Sequence, residues 1–152
     1  MASNRHLGRI IALQTLYEYE FRVECGDTGV LLPEILKRNL GRYQEAVGDK
    51  TFVDKLVEGV AKTKDKIDVI IRPIAPEWPI SQIARVDRMI LRQAIYELQE
   101  MSELVPPKVV INEAVELAKA FGSDNSSKFV NGVLGTVYRN LSGDSTDAST
   151  KA

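Results

Sequence analysis

The sequence has almost none of the residues that build metal sites and disulfide cross-links. Its 152 residues include a single cysteine, Cys25, and a single histidine, His6. One cysteine cannot form an internal disulfide, and such cysteine usage is typical of the reducing cytosol. A structural zinc site usually takes four cysteine or histidine ligands, so we expect no metal site. We also expect no cofactor.

Long apolar runs and a strong charge of either sign are missing as well. No apolar run approaches the ~18 residues of a transmembrane helix, and residues 1–9 lack the apolar stretch of a secretory signal. We therefore expect a cytoplasmic protein with no membrane partner. The formal net charge is -1, whereas domains that bind nucleic acids by themselves are usually basic. Any contact with a nucleic acid must then depend on a local basic patch or on a partner protein.

Motifs of common enzyme classes are also absent. The chain contains no GxGxxG, HExxH or GxSxG motif. The stretch from Gly48 to Thr51 is similar to the end of a phosphate-binding loop, but Tyr43 stands where such a loop needs its first glycine. Glu113 and Glu116 lie one turn apart on a predicted helix, where ion pairing is a commoner role than acid–base catalysis. We therefore expect no enzymatic activity and no catalytic residue.

The pattern of apolar residues is helical along nearly the whole chain. Apolar residues recur every three or four positions, and no stretch alternates apolar and polar residues as a half-buried strand does. This pattern predicts an all-α fold. The predicted helices cover about residues 4–24, 32–47, 50–72, 81–101, 109–121 and 129–141.

Prolines divide the six predicted helices into two groups of three. The segment 73–79 holds three of the six prolines, and proline does not fit the interior of a helix. We therefore predict two small helical bundles, residues 4–72 and 80–141, joined by a connector in which Trp78 folds onto one of them. Residues 142–152 consist of Ser, Thr, Asp, Gly and Ala with one lysine, which predicts a disordered tail.

Four motifs in a fixed order carry a resemblance to a known family. They are ALQTLYEYE at 12–20, ILRQAIYEL at 90–98, INEAVELAK at 111–119 and KFVNGVL at 128–134. Together they resemble the NusB family of bacterial transcription antitermination factors, most closely over residues 85–141. Several motifs in the right order identify a family much more specifically than any one of them alone.

The resemblance implies an all-α fold of two small helical bundles and a function without catalysis. Members of the family pair with NusE, a ribosomal protein of the small subunit. The pair binds the single-stranded boxA element of nascent ribosomal RNA and helps to build an antitermination complex on RNA polymerase. The resemblance therefore implies boxA RNA, NusE and that polymerase complex as partners.

The N-terminus is the first candidate RNA-binding segment. Arg5 and Arg9 are four residues apart and share one helical face, with His6 beside them. Arginines at the start of a helix are disfavoured by the helix dipole unless they face an anion. A phosphate group would be such an anion, and a solvated helix start is the alternative interpretation.

The last predicted helix is the second candidate RNA-binding segment. Lys128 can bind a phosphate, Asn131 can form hydrogen bonds with a base edge, and Phe129 can stack on an unpaired base. Phe129 is also in phase with core positions, so burial in the bundle is its alternative role. Gly132 and Gly135 are three residues apart, a spacing that favours close helix packing over RNA contact.

Charged residues of the fourth predicted helix have separate interpretations. In the family an acidic residue at the position that matches Asp87 lies near the NusE interface, so Asp87 is a candidate partner contact. Tyr17 on the first predicted helix is the other candidate for the partner interface. Arg85, Arg88 and Arg92 form a basic ridge for which intramolecular pairing is expected more than RNA contact. For Arg92 the suggested partner is Glu113.

Two alternative functions fit the same pattern. NusB-like helical regions also occur in ribosomal RNA cytosine methyltransferases, although this chain is too short for a methyltransferase domain and lacks a glycine-rich cofactor loop. The other alternative is a homodimeric scaffold held by aromatic contacts of residues such as Tyr17 and Phe21. Sedimentation with and without NusE distinguishes a homodimer from a heterodimer.

Overall fold

The fold is all-helical, as the apolar pattern predicted. The structure, a computed structural model, describes residues 4–75 and 79–143. Within these ranges there are six α-helices and no strand. The helices are α1 (Arg5–Glu24), α2 (Leu32–Tyr43), α3 (Lys50–Ile71), α4 (Arg85–Glu100), α5 (Pro107–Phe121) and α6 (Ser126–Leu141). The predictions for Trp78 and for the tail from residue 144 onward concern residues outside the described ranges.

Two helix boundaries differ by four residues from those that the sequence predicted, and the other boundaries differ by less. Helix α2 ends at Tyr43 and is followed by a short 3-10 turn. The carbonyl oxygen of Val47 accepts the backbone N–H groups of Asn4 and Asp49, at 3.0 and 2.9 Å, so the chain turns here instead of continuing as a helix. Helix α4 begins at Arg85, because the preceding residues form a second 3-10 turn and an extended segment.

The chain divides into two compact units, residues 1–63 and 64–152. The division falls inside α3, whereas the sequence led us to expect it in the proline-rich segment 73–79. The reason is that the last turns of α3 pack with the second unit. Asp68 on α3 forms a buried ion pair with Arg92 on α4, and Ile67 and Ile71 are fully buried beside it in sequence.

The first unit is held by α1, which packs closely against its neighbours. A Cβ atom on Gly8 would lie 3.0 Å from the Val53 side chain, so α1 crosses α3 at a point where only a glycine fits without displacement. The buried side chain of Asn39 on α2 donates a hydrogen bond to Thr15 on α1 over 3.0 Å. Buried polar groups need such partners to offset their loss of water.

An ionic network joins α1 to α2 on the surface of the first unit. Glu18 accepts hydrogen bonds from Arg38 and from Arg22, and Arg22 also pairs with Asp27. The Arg38 guanidinium holds the pKa of the Glu18 carboxyl below its ordinary value, with a further contribution from Arg22. The network therefore fixes the loop that follows α1.

The second unit is built on α4, which packs against both α5 and α6. Its apolar face, with Ile90, Leu91 and Ile95, has no exposure to solvent. Intramolecular pairing was expected for the arginines of this helix, and intramolecular hydrogen bonds are found for two of them. The partner shown for Arg92 is Asp68, whereas the sequence suggested Glu113. Arg92 donates to both carboxylate oxygens of Asp68, at 2.9 and 2.8 Å, and Arg88 donates to the carbonyl oxygen of Ile80 at 3.1 Å.

The Arg92–Asp68 pair is expected to contribute strongly to stability. Replacing Arg92 with methionine should lower the free energy of unfolding by about 3–5 kcal/mol, because the buried Asp68 carboxylate is left without its counter-charge. Urea unfolding followed by circular dichroism measures this change. Lys119→Met is the control, since the Lys119–Glu116 pair is 3.7 Å long with both side chains at least 60% exposed. Equal stabilities of the two variants would contradict the prediction.

Candidate nucleic-acid interface

The two arginines at the start of α1 surround an aromatic ring in the first unit. The guanidinium carbons of Arg5 and Arg9 both lie 5.1 Å from the centre of the Phe52 ring. A guanidinium at this distance is attracted by the negative face of the ring. Phe52 and Arg9 are each only 3% exposed, whereas the side chain of Arg5 is 32% exposed.

Burial separates the roles of the three predicted N-terminal RNA contacts. The side chain of Arg9 is covered by protein, so its guanidinium is not a surface for phosphate. Arg5 is partly exposed, and His6 is exposed. The helical spacing alone predicted that Arg5 and Arg9 share a face, but it did not indicate that the aromatic ring would bury one of them.

Asp49 supports this arginine cluster from the start of α3. Its Oδ1 atom accepts the backbone N–H of Phe52 at 3.0 Å and so caps the helix. Its Oδ2 atom lies 3.5 Å from a terminal nitrogen of Arg5. The contact of Asp49 with Arg5 joins two residues that the sequence pattern does not connect.

The second candidate RNA-binding feature is a cleft between the beginnings of α4 and α6. It lies within the second unit. This α4–α6 cleft has a volume of about 230 Å³. Its lining comprises Gln82, Ile83, Ala84, Asp87, Ser123, Asn125, Ser126 and Phe129. The cleft therefore brings together two predicted site residues, Asp87 and Phe129, that the sequence assigned to different partners.

The chemistry of the α4–α6 cleft combines an acceptor with an aromatic surface. Asp87 is 8% exposed, and its Oδ1 atom has no hydrogen-bond partner among the described residues. A buried carboxylate oxygen without a donor is costly, so a ligand with N–H groups would stabilise it. Phe129 is half-buried and contributes its ring to the wall.

The loop that carries one wall of the cleft is fixed by Ser126. The hydroxyl oxygen of this residue, which is 2% exposed, accepts the backbone N–H of Ser123 at 2.9 Å. A Cβ atom on Gly122 would lie 2.4 Å from the same oxygen, so only glycine fits at the end of α5. The turn thus holds Asn125 at the rim of the cleft.

The remaining predicted site residues are exposed on their helices. Lys128 and Asn131 face solvent on α6. Gly132 is exposed too, and a Cβ atom there would meet no heavy atom of the described residues within 4 Å. The close helix packing expected at Gly132 is therefore not found. On α1, Tyr17 is 39% exposed and Phe21, one turn further, is 47% exposed.

Two kinds of feature are not found among the residues that the structure describes. No helix among residues 4–75 and 79–143 is long and apolar enough to cross a membrane. In the same part of the chain, no three histidine, cysteine or acidic side chains come together as ligands for a metal ion.

Known proteins are similar to this chain in sequence and in fold. The sequence model of the NusB family matches residues 6–139. The transcription antitermination protein NusB of Chloroflexus aggregans is 46% identical over 138 residues, which cover 90% of this chain and 88% of that protein. The protein of the same name from Dehalococcoides mccartyi is 40% identical over 141 residues, covering 93% and 94%.

Solved structures agree with this similarity. NusB of T. maritima superimposes with a TM-score of 0.79 at 31% identity, over 91% of this chain and 93% of that one. A chain from the crystal structure of the antitermination factors NusB and NusE in complex with dsRNA gives a TM-score of 0.74 at 26% identity. That superposition covers 90% of this chain and 96% of the other.

The burial of Arg9 leads to a prediction about stability. Replacing Arg9 with alanine should lower the free energy of unfolding by about 1–2 kcal/mol, because the contact with Phe52 and the packing of the long side chain are lost. Thermal unfolding followed by circular dichroism measures the effect. His6→Ala, at an exposed neighbouring position, serves as the control. If the two variants melted at the same temperature, the proposed stabilising contact would be wrong.

Proposed function

Because the chain belongs to the NusB family, we propose that it acts as a transcription antitermination factor that binds the boxA element of nascent ribosomal RNA together with the ribosomal protein NusE. Its function is binding without catalysis. RNA and NusE both occur in the complex of the structurally similar NusB chain. The protein and NusE then act together within the antitermination complex on RNA polymerase.

The α4–α6 cleft is the observation that carries the RNA-binding part of this proposal. At about 230 Å³, it is smaller than the ~300 Å³ at which sites for drug-sized ligands begin. A single unpaired base is a suitable occupant. Its amino or imino N–H groups would donate to the Oδ1 atom of Asp87, and its face would stack on Phe129.

This occupant changes the role proposed for Asp87. A carboxylate repels phosphate but accepts hydrogen bonds from the edges of bases such as cytosine and guanine. Asp87 therefore selects a base over the RNA backbone, while Asn125, an uncharged amide at the same rim, adds no second negative charge. Contact of Asp87 with NusE is the competing assignment.

Cations on the surface of each unit supply the contacts to phosphate. In the second unit Lys128 is exposed near the start of α6, and Asn131, also exposed, lies two residues beyond the cleft residue Phe129. In the first unit Arg5 and His6 present their side chains to solvent, with Arg9 behind them as support for Phe52. These few cations explain why a chain with a net charge of -1 would bind RNA most strongly in a complex with NusE.

The aromatic pair on α1 is the proposed contact with NusE. Tyr17 and Phe21 are one helical turn apart and expose 39% and 47% of their surface. Large aromatic side chains of this kind are enriched at protein interfaces. The same pair is the surface that a homodimer would use.

RNA binding by the cleft predicts a specific loss on mutation. Phe129→Ala should weaken binding of a boxA-like single strand by about 1–3 kcal/mol, roughly 5- to 150-fold, since one base loses its stacking partner. Fluorescence anisotropy of labelled RNA, with equimolar NusE and at several salt concentrations, measures the affinity.

Phe121→Ala is the matched control for this experiment, because Phe121 is an aromatic on α5 that is 43% exposed and does not line the cleft. A scrambled single strand and a duplex of the same sequence test selectivity. Equal affinity for boxA-like and scrambled strands would overturn the proposed function. Equal effects of the two phenylalanine variants would overturn the cleft as the RNA site.

The NusE contact predicts a change in assembly. Tyr17→Asp should abolish or strongly reduce the heterodimer with NusE, because a charge is placed in the centre of an apolar contact. Sedimentation velocity measures the species present. Gln14→Asp, at an exposed position of the same helix, introduces the same charge and should leave the heterodimer intact. A stable dimer of the protein alone, with no NusE complex, would favour the homodimeric scaffold instead.

A further inference from the structure

Asp49 makes contacts with two different groups through its two carboxylate oxygens. Its Oδ1 atom accepts the N–H of Phe52 at 3.0 Å, which caps α3. Its Oδ2 atom lies 3.5 Å from the terminal nitrogen of Arg5. The two side chains of the ion pair are 31% and 32% exposed, so solvent and ligands reach both.

The position of Arg5 does not depend on Asp49 alone. Its guanidinium also lies 5.1 Å from the centre of the buried Phe52 ring, and Asn4, the residue before it, donates its backbone N–H to Val47 at 3.0 Å. The start of α1 is therefore held in place by contacts that do not involve the carboxylate. A change of anionic partner at Arg5 requires no movement of the helix.

A carboxylate and a phosphate oxygen are alternative acceptors for the same guanidinium N–H groups. Ion pairs between partly exposed side chains are weak, so a phosphate can replace the carboxylate. The replaced carboxylate would then lie close to the phosphate and repel it. Both effects reduce the affinity of Arg5 for RNA.

We infer that Asp49 sets the RNA affinity of this protein by competing with a phosphate group for Arg5. In the free protein Arg5 pairs with Asp49 while its guanidinium stays on the Phe52 ring. In the bound state the guanidinium keeps its place on the ring and pairs with the phosphate. This inference rests on the proposed function, namely on RNA binding near Arg5.

Asp49→Asn is a sharp test, because asparagine caps a helix as well as aspartate does and removes only the charge. The probe is a fluorescein-labelled single-stranded RNA of boxA-like sequence, bound to the full chain with equimolar NusE. The variant should bind about two- to fivefold more tightly at low salt, the range expected when a weak competing ion pair is removed. The gain should shrink as salt rises, since exposed charges are screened.

Two further variants separate competition from general repulsion. In an Arg5→Ala background, Asp49→Asn should give no gain, because no guanidinium is left to be released. Asp54→Asn removes an exposed charge from the same helix α3, where no ion pair with an arginine is found among the described residues. It should therefore change the affinity less than Asp49→Asn.

Asp49→Ser provides a second neutral variant if the asparagine variant folds poorly, because serine also caps a helix.

The outcomes distinguish this inference from the proposed function. If the wild-type protein with NusE did not bind the RNA, the proposed function and this inference would both fail. If the wild type bound but Asp49→Asn gave no gain, or the same gain in the Arg5→Ala background, only the competition would be refuted. A gain that requires Arg5 supports it.

Discussion

The need of a buried guanidinium for a partner governs the internal structure of both units. An arginine that leaves water must recover its lost hydration through a carboxylate, a carbonyl or an aromatic ring. Arg92 does so with Asp68, and this pair joins the end of α3 to α4. Arg9 does so on the ring of Phe52, and this contact joins the start of α1 to α3. The helices are thus positioned by charges as well as by apolar packing.

The same requirement decides which positive charges remain for RNA. Arg22 and Arg38 pair with carboxylates on the surface of the first unit, and Arg88 and Arg92 are buried in the second. Arg5 and Lys128 remain at least partly exposed and are the cations that we propose for contact with phosphate. Affinity for RNA in water depends mostly on cations that neutralise phosphates. A partner that adds cations, as we propose for NusE, is therefore consistent with the internal use of so many arginines.

Acidic residues have a complementary role in this proposal. Asp87 in the α4–α6 cleft would accept N–H groups of a base and repel a phosphate, so it would favour recognition of a base. Asp49 beside Arg5 would weaken a phosphate contact instead. Both carboxylates would make binding more selective at the expense of strength, which is consistent with the proposal that the protein binds RNA most strongly in a complex with NusE.

The sequence by itself determined the all-helical fold, the approximate position of each helix and the family, because helical periodicity and the motifs are local properties of the chain. It also pointed to Arg5, Lys128 and Phe129, since their residue types fit RNA. Only the tertiary structure decided that Arg9 is buried and that Asp87 and Phe129 share one cleft. It likewise decided that Arg92 pairs with a residue 24 positions away. Burial and pairing depend on contacts between segments that are distant in sequence, and periodicity carries no information about those contacts.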